Sequence, residues 1–516
     1  MNTAEQLRIS AKLGDLVSGI VPATQLAAEK LDITVSGVQM DSRLLSEGDV
    51  FIACFGRNHD AREYIKDAIA RGVAAVLAES GGKWQGIQYI EGVPVVAVDN
   101  LSSSISEIAA RFFGRPSNKL SVIGITGTNG KTSCSQFIAE ALTAMGFRCG
   151  VIGTLGYGTF GNLKETQLTT PDAVFTQLAL AEMVQDSVEP VVMEVSSVGL
   201  HQKRVQAVQF DTAIFTNLTR DHLDYHESME EYAENKMKLF TADGLSHAIV
   251  NLDDPYALRI INSISSNVEI TTYSINNAVA TVHAERLELT RQGFDARIRT
   301  PLGSGDISGA LIGYFNFSNL LAVLAALISY LSRRGEVDIL QLCEQVSQLR
   351  PVQGRMEIIG DSGDITAVVD YAHTPDGLRS ALQALRDHFD GRIWLVFGCG
   401  GNRDQGKRPL MGEIAEACAD RLIIADDNPR NEEGDGIVQH ILSGINNTSA
   451  VTVLRDRAKA IAYAVSNAEA GDVVLVAGKG HENYQDVGGN RIMFSDANQV
   501  RLALRERRGC KGSDKT

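Results

Sequence analysis

Short apolar runs, each closing on a cluster of polar or glycine residues, recur along this chain. Residues 50–54 and 74–77 read as strands near the start, and residues 103–113 have helical spacing. The run 120–125 leads into a glycine-rich loop, after which Phe137, Ala141 and Met145 recur at helical intervals. Residues 191–193 close on Glu194-Val-Ser196-Ser197, and 213–215 on the polar stretch 217–226. Four more runs, at 367–369, 393–397, 422–424 and 473–476, end at 370–375, 398–403, 427–430 and 478–482. Apolar strands alternating with helical segments predict parallel sheets, whose ligands bind beyond the carboxyl ends of the strands. The polar clusters stand at those ends.

The turn-rich segment Phe113-Gly-Arg-Pro-Ser-Asn118 predicts a linker. The chain is therefore divided at 1–116, 117–349 and 350–516. The fold class is α/β in three domains: a smaller N-terminal α/β domain, a central phosphate-loop domain on a parallel sheet, and a C-terminal doubly wound α/β domain. The charged, glycine-containing tail 505–516 is expected to fray. At 516 residues the chain exceeds one core, and 44% hydrophobic with 22% charged residues describes an ordered globular protein. A formal charge of -15 disfavours nucleic acid or an anionic membrane as the main partner. Seven scattered cysteines without a C-x-x-C pair fit a reduced, cytoplasmic chain with no structural zinc. The most apolar helical stretch, 320–331, is too short to span a bilayer, and the charged first thirty residues do not read as an export signal.

The chemistry starts at Gly124-Ile-Thr-Gly127-Thr128-Asn129-Gly130-Lys131-Thr132. Between strand and helix, such a loop turns backbone amides onto phosphates, Lys131 reaches the outer phosphates, and Thr132 holds Mg2+. Ile125 stands where the common phosphate loop has its first glycine. Glu194 and His222 fall on the same sheet edge and are candidate Mg2+ ligands, oxygen suiting this hard ion better than imidazole. His226 reads as a structural loop residue, and Lys236 by spacing alone as a solvated helix position.

These motifs, together with Gly313-Tyr-Phe-Asn316-Phe-Ser-Asn319, Gly354-Arg355-Met356 and Asp370-Tyr-Ala-His373-Thr-Pro375, occur in the order seen in the ATP-dependent Mur ligases, which the chain resembles over nearly its whole length. Asp41-Ser42-Arg43, Thr169-Thr170-Pro171, Gly400-Gly-Asn-Arg403-Asp-Gln-Gly-Lys407-Arg408 and Asp427-Asn428-Pro429-Arg430 resemble the members that attach the third amino acid. Val198 stands where those members usually carry histidine, with His201 three residues on.

The resemblance implies ATP as co-substrate, bound by Gly127, Thr128, Asn129, Gly130, Lys131, Thr132, Ser133, Asn316 and Arg355. It implies Mg2+ on Thr132, Glu194, His222 and a carbamylated Lys236, with Lys131, Glu194, His222 and Lys236 serving catalysis. Met40, Ser42, Arg57, Asn58, His59, Thr169, Thr170, Ser196, Gln202 and Arg204 would hold a UDP-N-acetylmuramoyl dipeptide. Arg403, Asp427, Asn428, Pro429, Arg430, Gly478 and Glu482 would hold meso-2,6-diaminopimelate, a ligand whose two ammonium and two carboxylate groups need partners of both signs. The implied reaction phosphorylates the γ-carboxylate of the D-glutamyl residue and captures the acyl phosphate with an amine, in a monomer without nucleic-acid or membrane partners. A folylpolyglutamate synthase, and a nucleotide-binding switch that performs no ligation, stand as the alternatives.

Overall fold

The computed structural model describes residues 9–22, 31–56, 59–166, 168–335, 337–361 and 364–513. Arg57 and Asn58 lie outside them. The N-terminal sheet contains β1 (Gly37–Gln39), β2 (Asp49–Ala53), β3 (Ala75–Glu79), β4 (Ile87–Ile90) and β5 (Val93–Val98), in the order β1-β2-β3-β5-β4. Only β4 runs antiparallel. Helix α1 (Leu101–Phe112) buries Leu101, Ile105, Ile108 and Ala109 along one stripe, as its spacing requires. Ser106 Oγ on α1 accepts from Ala207 N at 3.0 Å and ties this domain to the next.

The central sheet is built on β6 (Ser121–Thr126), every residue of which is buried. Glycine-rich residues lead from β6 into α2 (Lys131–Ala144), followed by β7 (Gly150–Gly153), β8 (Gly156–Thr159), α3 (Ala173–Gln185), β9 (Pro190–Glu194) and β10 (Thr212–Phe215). After α4 (Met229–Met237) come β11 (His247–Asn251), β12 (Glu269–Ser274), β13 (Val282–Thr290), β14 (Gly293–Thr300) and β15 (Gly303–Gly309). The spatial order is β8-β7-β9-β6-β10-β11-β12-β13-β14-β15. Because β6 lies between parallel β9 and β10, the ends of all three strands open on one edge.

The parallel reading holds for the middle of this sheet but not for its far side, where β13, β14 and β15 form an antiparallel meander. On β14, Phe294, Ala296, Ile298 and Thr300 are buried while Asp295, Arg297 and Arg299 are exposed, the alternation of a half-solvated strand.

Helix α5 (Tyr314–Ser332) covers the sheet and is longer than the apolar stretch read from sequence. By length and composition it could cross a membrane, yet 72% of its apolar window is buried inside the protein. Its polar start, with Asn316, Ser318 and Asn319, hid its true length; Ser318 and Asn319 line the central cleft.

The C-terminal sheet comprises β16 (Glu357–Asp361), β17 (Thr366–Asp370), β18 (Ile393–Phe397), β19 (Arg421–Ile424), β20 (Val451–Val453) and β21 (Val473–Ala477), with α6 (Pro375–His388) and α7 (Lys407–Cys418) among its crossovers. Its order is β16-β17-β21-β18-β19-β20, all parallel except β16. A hairpin of β22 (Tyr484–Val487) and β23 (Asn490–Met493) precedes α8 (Asp496–Ser513). The expected frayed tail is instead helix as far as Ser513. Val500, Ala503 and Leu504 pack into the core, and Arg507 donates to Asp364 Oδ2 at 2.8 Å and Val465 O at 2.6 Å. The six described cysteines are unpaired.

Candidate active site

The glycine-rich loop turns between β6 and α2 with Gly127 at φ 154° and Gly130 at φ 87°. A β-carbon at Gly127 would collide with Thr216 Oγ1, and one at Gly130 with Asn319 Oδ1, so only glycine lets these elements close on the loop. The end of β10 braces it: Asn129 N donates to Asn217 Oδ1 at 2.9 Å, and Thr216 Oγ1 donates to Asn129 O at 2.6 Å. Thr128 Oγ1 accepts from Thr219 N at 2.9 Å and lies 3.1 Å from Tyr232 OH.

Two lysines, Lys131 half-buried and Lys236 buried, converge on one carbonyl. Lys131 Nζ donates to Gly127 O at 2.7 Å and Thr128 O at 2.8 Å; Lys236 Nζ, from α4, donates to Gly127 O at 2.7 Å. Burial holds the Lys236 pKa well below the usual lysine value, and the Lys131 ammonium lowers it further. Lys131 is lowered by burial against the opposing pull of Glu194 and Asp221. Lys236 is thus a core residue, not the solvated position that its spacing suggests.

Glu194, at the end of β9, has no exposed surface. Its carboxylate accepts from Thr132 Oγ1, Thr154 N and Thr154 Oγ1, each at 2.9 Å. Thr154 Oγ1 also lies 3.0 Å from Thr169 Oγ1, and Thr170 Oγ1 links Glu194 O and Ser196 N at 2.9 Å each. Arg204 Nη1 donates to Thr170 O at 2.6 Å while its other nitrogens donate to Gln202 Oε1. Val198 is half-buried on the short helix Ser197–His201, and His201 Nδ1 lies 2.8 Å from Tyr225 OH. His226 is buried with Nε2 3.0 Å from Ser197 Oγ, consistent with a structural role.

His222 sits at φ 55°, and burial, with the Lys236 and Lys131 ammonium groups, lowers its pKa despite the pull of Asp221. Burial raises the Asp221 pKa, but His222, His373 and Lys407 outweigh it and hold it at about 2. His373 and Lys407 belong to the C-terminal part, so this carboxylate is drawn toward the charge of Lys407 across the cleft. His373 is itself driven down to about 4 by burial and by Lys407.

The cleft encloses about 360 Å³, lined by the loop from Thr128 to Ser133, Glu194, His222 and Lys236 on one side and by Arg355, Tyr371 and His373 on the other. Arg355 lies over the Tyr371 ring at 4.2 Å and donates to Thr132 Oγ1 at 3.2 Å. Asn316 is buried behind this wall, donating to Ile312 O at 2.9 Å.

A second cluster lies at the ends of β18, β19 and β21. Arg430, at φ 52°, donates through Nη1 to Gly401 O at 2.8 Å and through its backbone to Asp486 O at 2.9 Å. A β-carbon on Gly400 would lie 2.8 Å from Arg430 Nη1 and 3.7 Å from Arg403 Cγ, so the two arginines flank one glycine. Pro429 O packs against Gly401, and Gly478 lies against Asp427 Oδ2. Asn428 Nδ2 donates to Glu482 Oε2 at 2.8 Å.

The central cleft gathers most residues read as ATP, metal and catalytic groups, together with Thr169 and Ser196. Met40, Ser42 and His59 stand apart in the N-terminal domain, where Ser42 opens a short turn capped by Asp41. Sequence reading assigned no role to Thr154, nor to Asn319, Tyr371 and Lys479, which lay inside the motifs 313–319 and 370–375 and the polar cluster 478–482. Thr154 stood in none of the motifs; its signal was its place as the first polar residue after the strand Gly150–Gly153.

Family models match three consecutive stretches: the Mur ligase family catalytic domain at residues 34–113, the Mur ligase middle domain at 125–327, and the Mur ligase glutamate ligase domain at 354–480. The chain belongs to the Mur ligase family. It is 47% identical over 477 residues to the UDP-N-acetylmuramoyl-L-alanyl-D-glutamate--2,6-diaminopimelate ligase of Coxiella burnetii, an alignment covering 92% of this chain and 96% of that protein. The enzyme of the same name from Pseudomonas aeruginosa is 45% identical, with the same coverage. A solved structure under that name superposes with a TM-score of 0.69 at 34% identity, covering 97% of this chain and 99% of the other.

Proposed function

We propose that this chain is an ATP-dependent ligase that joins meso-2,6-diaminopimelate to the D-glutamyl γ-carboxylate of UDP-N-acetylmuramoyl-L-alanyl-D-glutamate through an acyl phosphate. The observation that carries this reading is a single cleft in which the phosphate loop shares its lining with Arg355, Tyr371 and His373 of the C-terminal part, in a chain that matches ligases of that name over 92% of its length. The working division is 1–116 for the UDP end of the substrate, 117–349 for ATP, and 350–516 for the amino acid.

A carboxylate is a poor acceptor for an amine, and phosphorylation supplies a leaving group. Loop amides from Gly127 to Ser133 and the Lys131 ammonium stabilise charge on the transferring phosphoryl group, while Arg355 reaches the same space from the other domain. Thr169, Thr170, Ser196, Gln202 and Arg204 orient the dipeptide next to Glu194; Met40, Ser42, Arg57, Asn58 and His59 take the nucleotide end, and Asn316 supports the ATP wall.

Magnesium fits this donor set, since the oxygens Thr132 Oγ1 and Thr154 Oγ1 each lie 2.9 Å from Glu194 Oε2. With His222 and a modified Lys236, Thr132 and Glu194 would hold the ion, which supplies charge neutralisation to the phosphates. A neutral amine is the form of lysine that adds CO2, losing a proton to give a carbamate. The depressed pKa of Lys236 favours that form.

Arg403, Asp427, Asn428, Pro429, Arg430, Gly478 and Glu482 bind diaminopimelate, whose attacking amine must be neutral. Water would destroy the acyl phosphate, so the Arg355 and His373 wall closes the cleft before chemistry.

The test is phosphate release from ATP with Mg2+ and the UDP dipeptide, comparing meso-diaminopimelate with L-lysine. Release with diaminopimelate and a tripeptide product by mass supports the reading. Release with lysine alone overturns the amino-acid assignment, and release with neither overturns the ligase.

A further inference from the structure

We infer that Lys479 is a positioning residue that fixes the polarity of the amino-acid pocket: it leaves Asn428 able only to donate and Glu482 only to accept toward one ammonium–carboxylate centre of the ligand. This rests on the diaminopimelate reading of that pocket and assigns a role to a residue that does not touch the ligand.

Lys479 has no exposed surface. Gly478 at φ 118° and Gly480 at φ 53° flank it, and this left-handed backbone turns the side chain inward. A buried ammonium is costly unless paired and hydrogen-bonded. Here Nζ donates to Glu482 Oε2 at 2.8 Å and Asn428 Oδ1 at 3.0 Å, and it lies 5.6 Å from the Tyr484 ring centroid.

The orientation of the Asn428 amide follows. Its oxygen accepts from Lys479 Nζ and also from Asp486 N at 2.9 Å, using both lone pairs. A flipped amide would face two donors with a third. One Nδ2 hydrogen goes to Glu482 Oε2 at 2.8 Å, which leaves the second for a carboxylate. Glu482 Oε2 accepts two bonds, and Oε1 accepts none among the described residues. The Glu482 side chain is 19% exposed, so Oε1 is available to an ammonium. One donor and one acceptor side by side match an α-amino-acid centre. Arg430, on the neighbouring loop, then serves the other carboxylate.

The test measures KM for meso-diaminopimelate, ATP and the UDP dipeptide in the full chain and in Lys479→Met, Glu482→Gln and Lys479→Met/Glu482→Gln. The double variant removes both members of the ion pair, leaving no unpaired charge beside the buried Asn428, and so guards against a single variant that cannot fold. Lys479→Met should raise the diaminopimelate KM about 10- to 100-fold, the loss expected when hydrogen bonds to a charged ligand group are misplaced, with the other two KM values within about 2-fold. The double variant should raise the diaminopimelate KM by less than the product of the two single effects, because Lys479 acts partly through Glu482 and partly through Asn428. An unchanged diaminopimelate KM in Lys479→Met, a parallel rise in all three KM values, or additive effects in the double variant would each overturn the inference. A wild-type chain inert toward diaminopimelate would instead overturn the reading on which it rests.

Discussion

Arg430→Ala is the most telling perturbation of the proposed selectivity. The backbone sits at φ 52°, and alanine carries the same left-handed penalty as arginine, so the change isolates the guanidinium. Nη1 is committed to Gly401 O at 2.8 Å, which leaves Nη2 and Nε to face a ligand carboxylate as a fork. Two charge-assisted hydrogen bonds at ~1.5–2 kcal/mol each amount to ~3–4 kcal/mol, or about 10²- to 10³-fold in kcat/KM. L-Lysine has no distal carboxylate and would lose little. Phosphate release at saturating ATP and UDP dipeptide, with either amino acid varied, should therefore show the diaminopimelate-to-lysine preference collapsing by about 10²- to 10³-fold. Equal losses for both amino acids would refute the reasoning, since they would mean that Arg430 supports the loop and not the distal carboxylate.

Gly130→Ala should abolish ATP-dependent phosphate release, because the new methyl would meet Asn319 Oδ1 at a φ of 87°; wild-type turnover in this variant would show that the loop does not seat phosphates. His373 is held at about 4 while an unfolded histidine titrates near 6.5, so between those values the unfolded state binds more protons. The stability it contributes is complete above pH 6.5 and lost as pH falls toward 4, and His373→Asn should flatten that part of the thermal-midpoint profile. Arg457→Met should destabilise the C-terminal domain by ~3–5 kcal/mol, because it leaves the fully buried Asp496 without the partner at 2.7 Å; an unchanged denaturation midpoint would contradict this.

Residue order alone places the strands that carry chemistry. Residues 120–125, 191–193, 213–215 and 393–397 are continuous apolar runs because parallel strands are covered on both faces, and that pattern is local. The loop at Gly127, Gly130, Lys131 and Thr132 was legible for the same reason: its glycines answer to backbone geometry within a few residues. Local pattern misled where burial depends on distant partners. The meander of β13 to β15 is an alternating surface that pairs antiparallel, and α8 continues past Arg505 because Asp364 and Val465 hold Arg507.

The environment of each charge is set by long-range packing. On its helix Lys236 looks like a surface residue, but folding sets its amine on the Gly127 carbonyl beside Lys131, in a place where water cannot offset its charge. Thr154 becomes a partner of Glu194 because β7 and β9 are neighbours in the sheet, although the two residues are distant in the chain. The orientation of Asn428 is fixed by Lys479 and Asp486 from a different strand end and a hairpin. Backbone conformation is set by near neighbours and can be read from residue order, whereas proton affinity and hydrogen-bond polarity depend on whatever folding brings within a few ångströms.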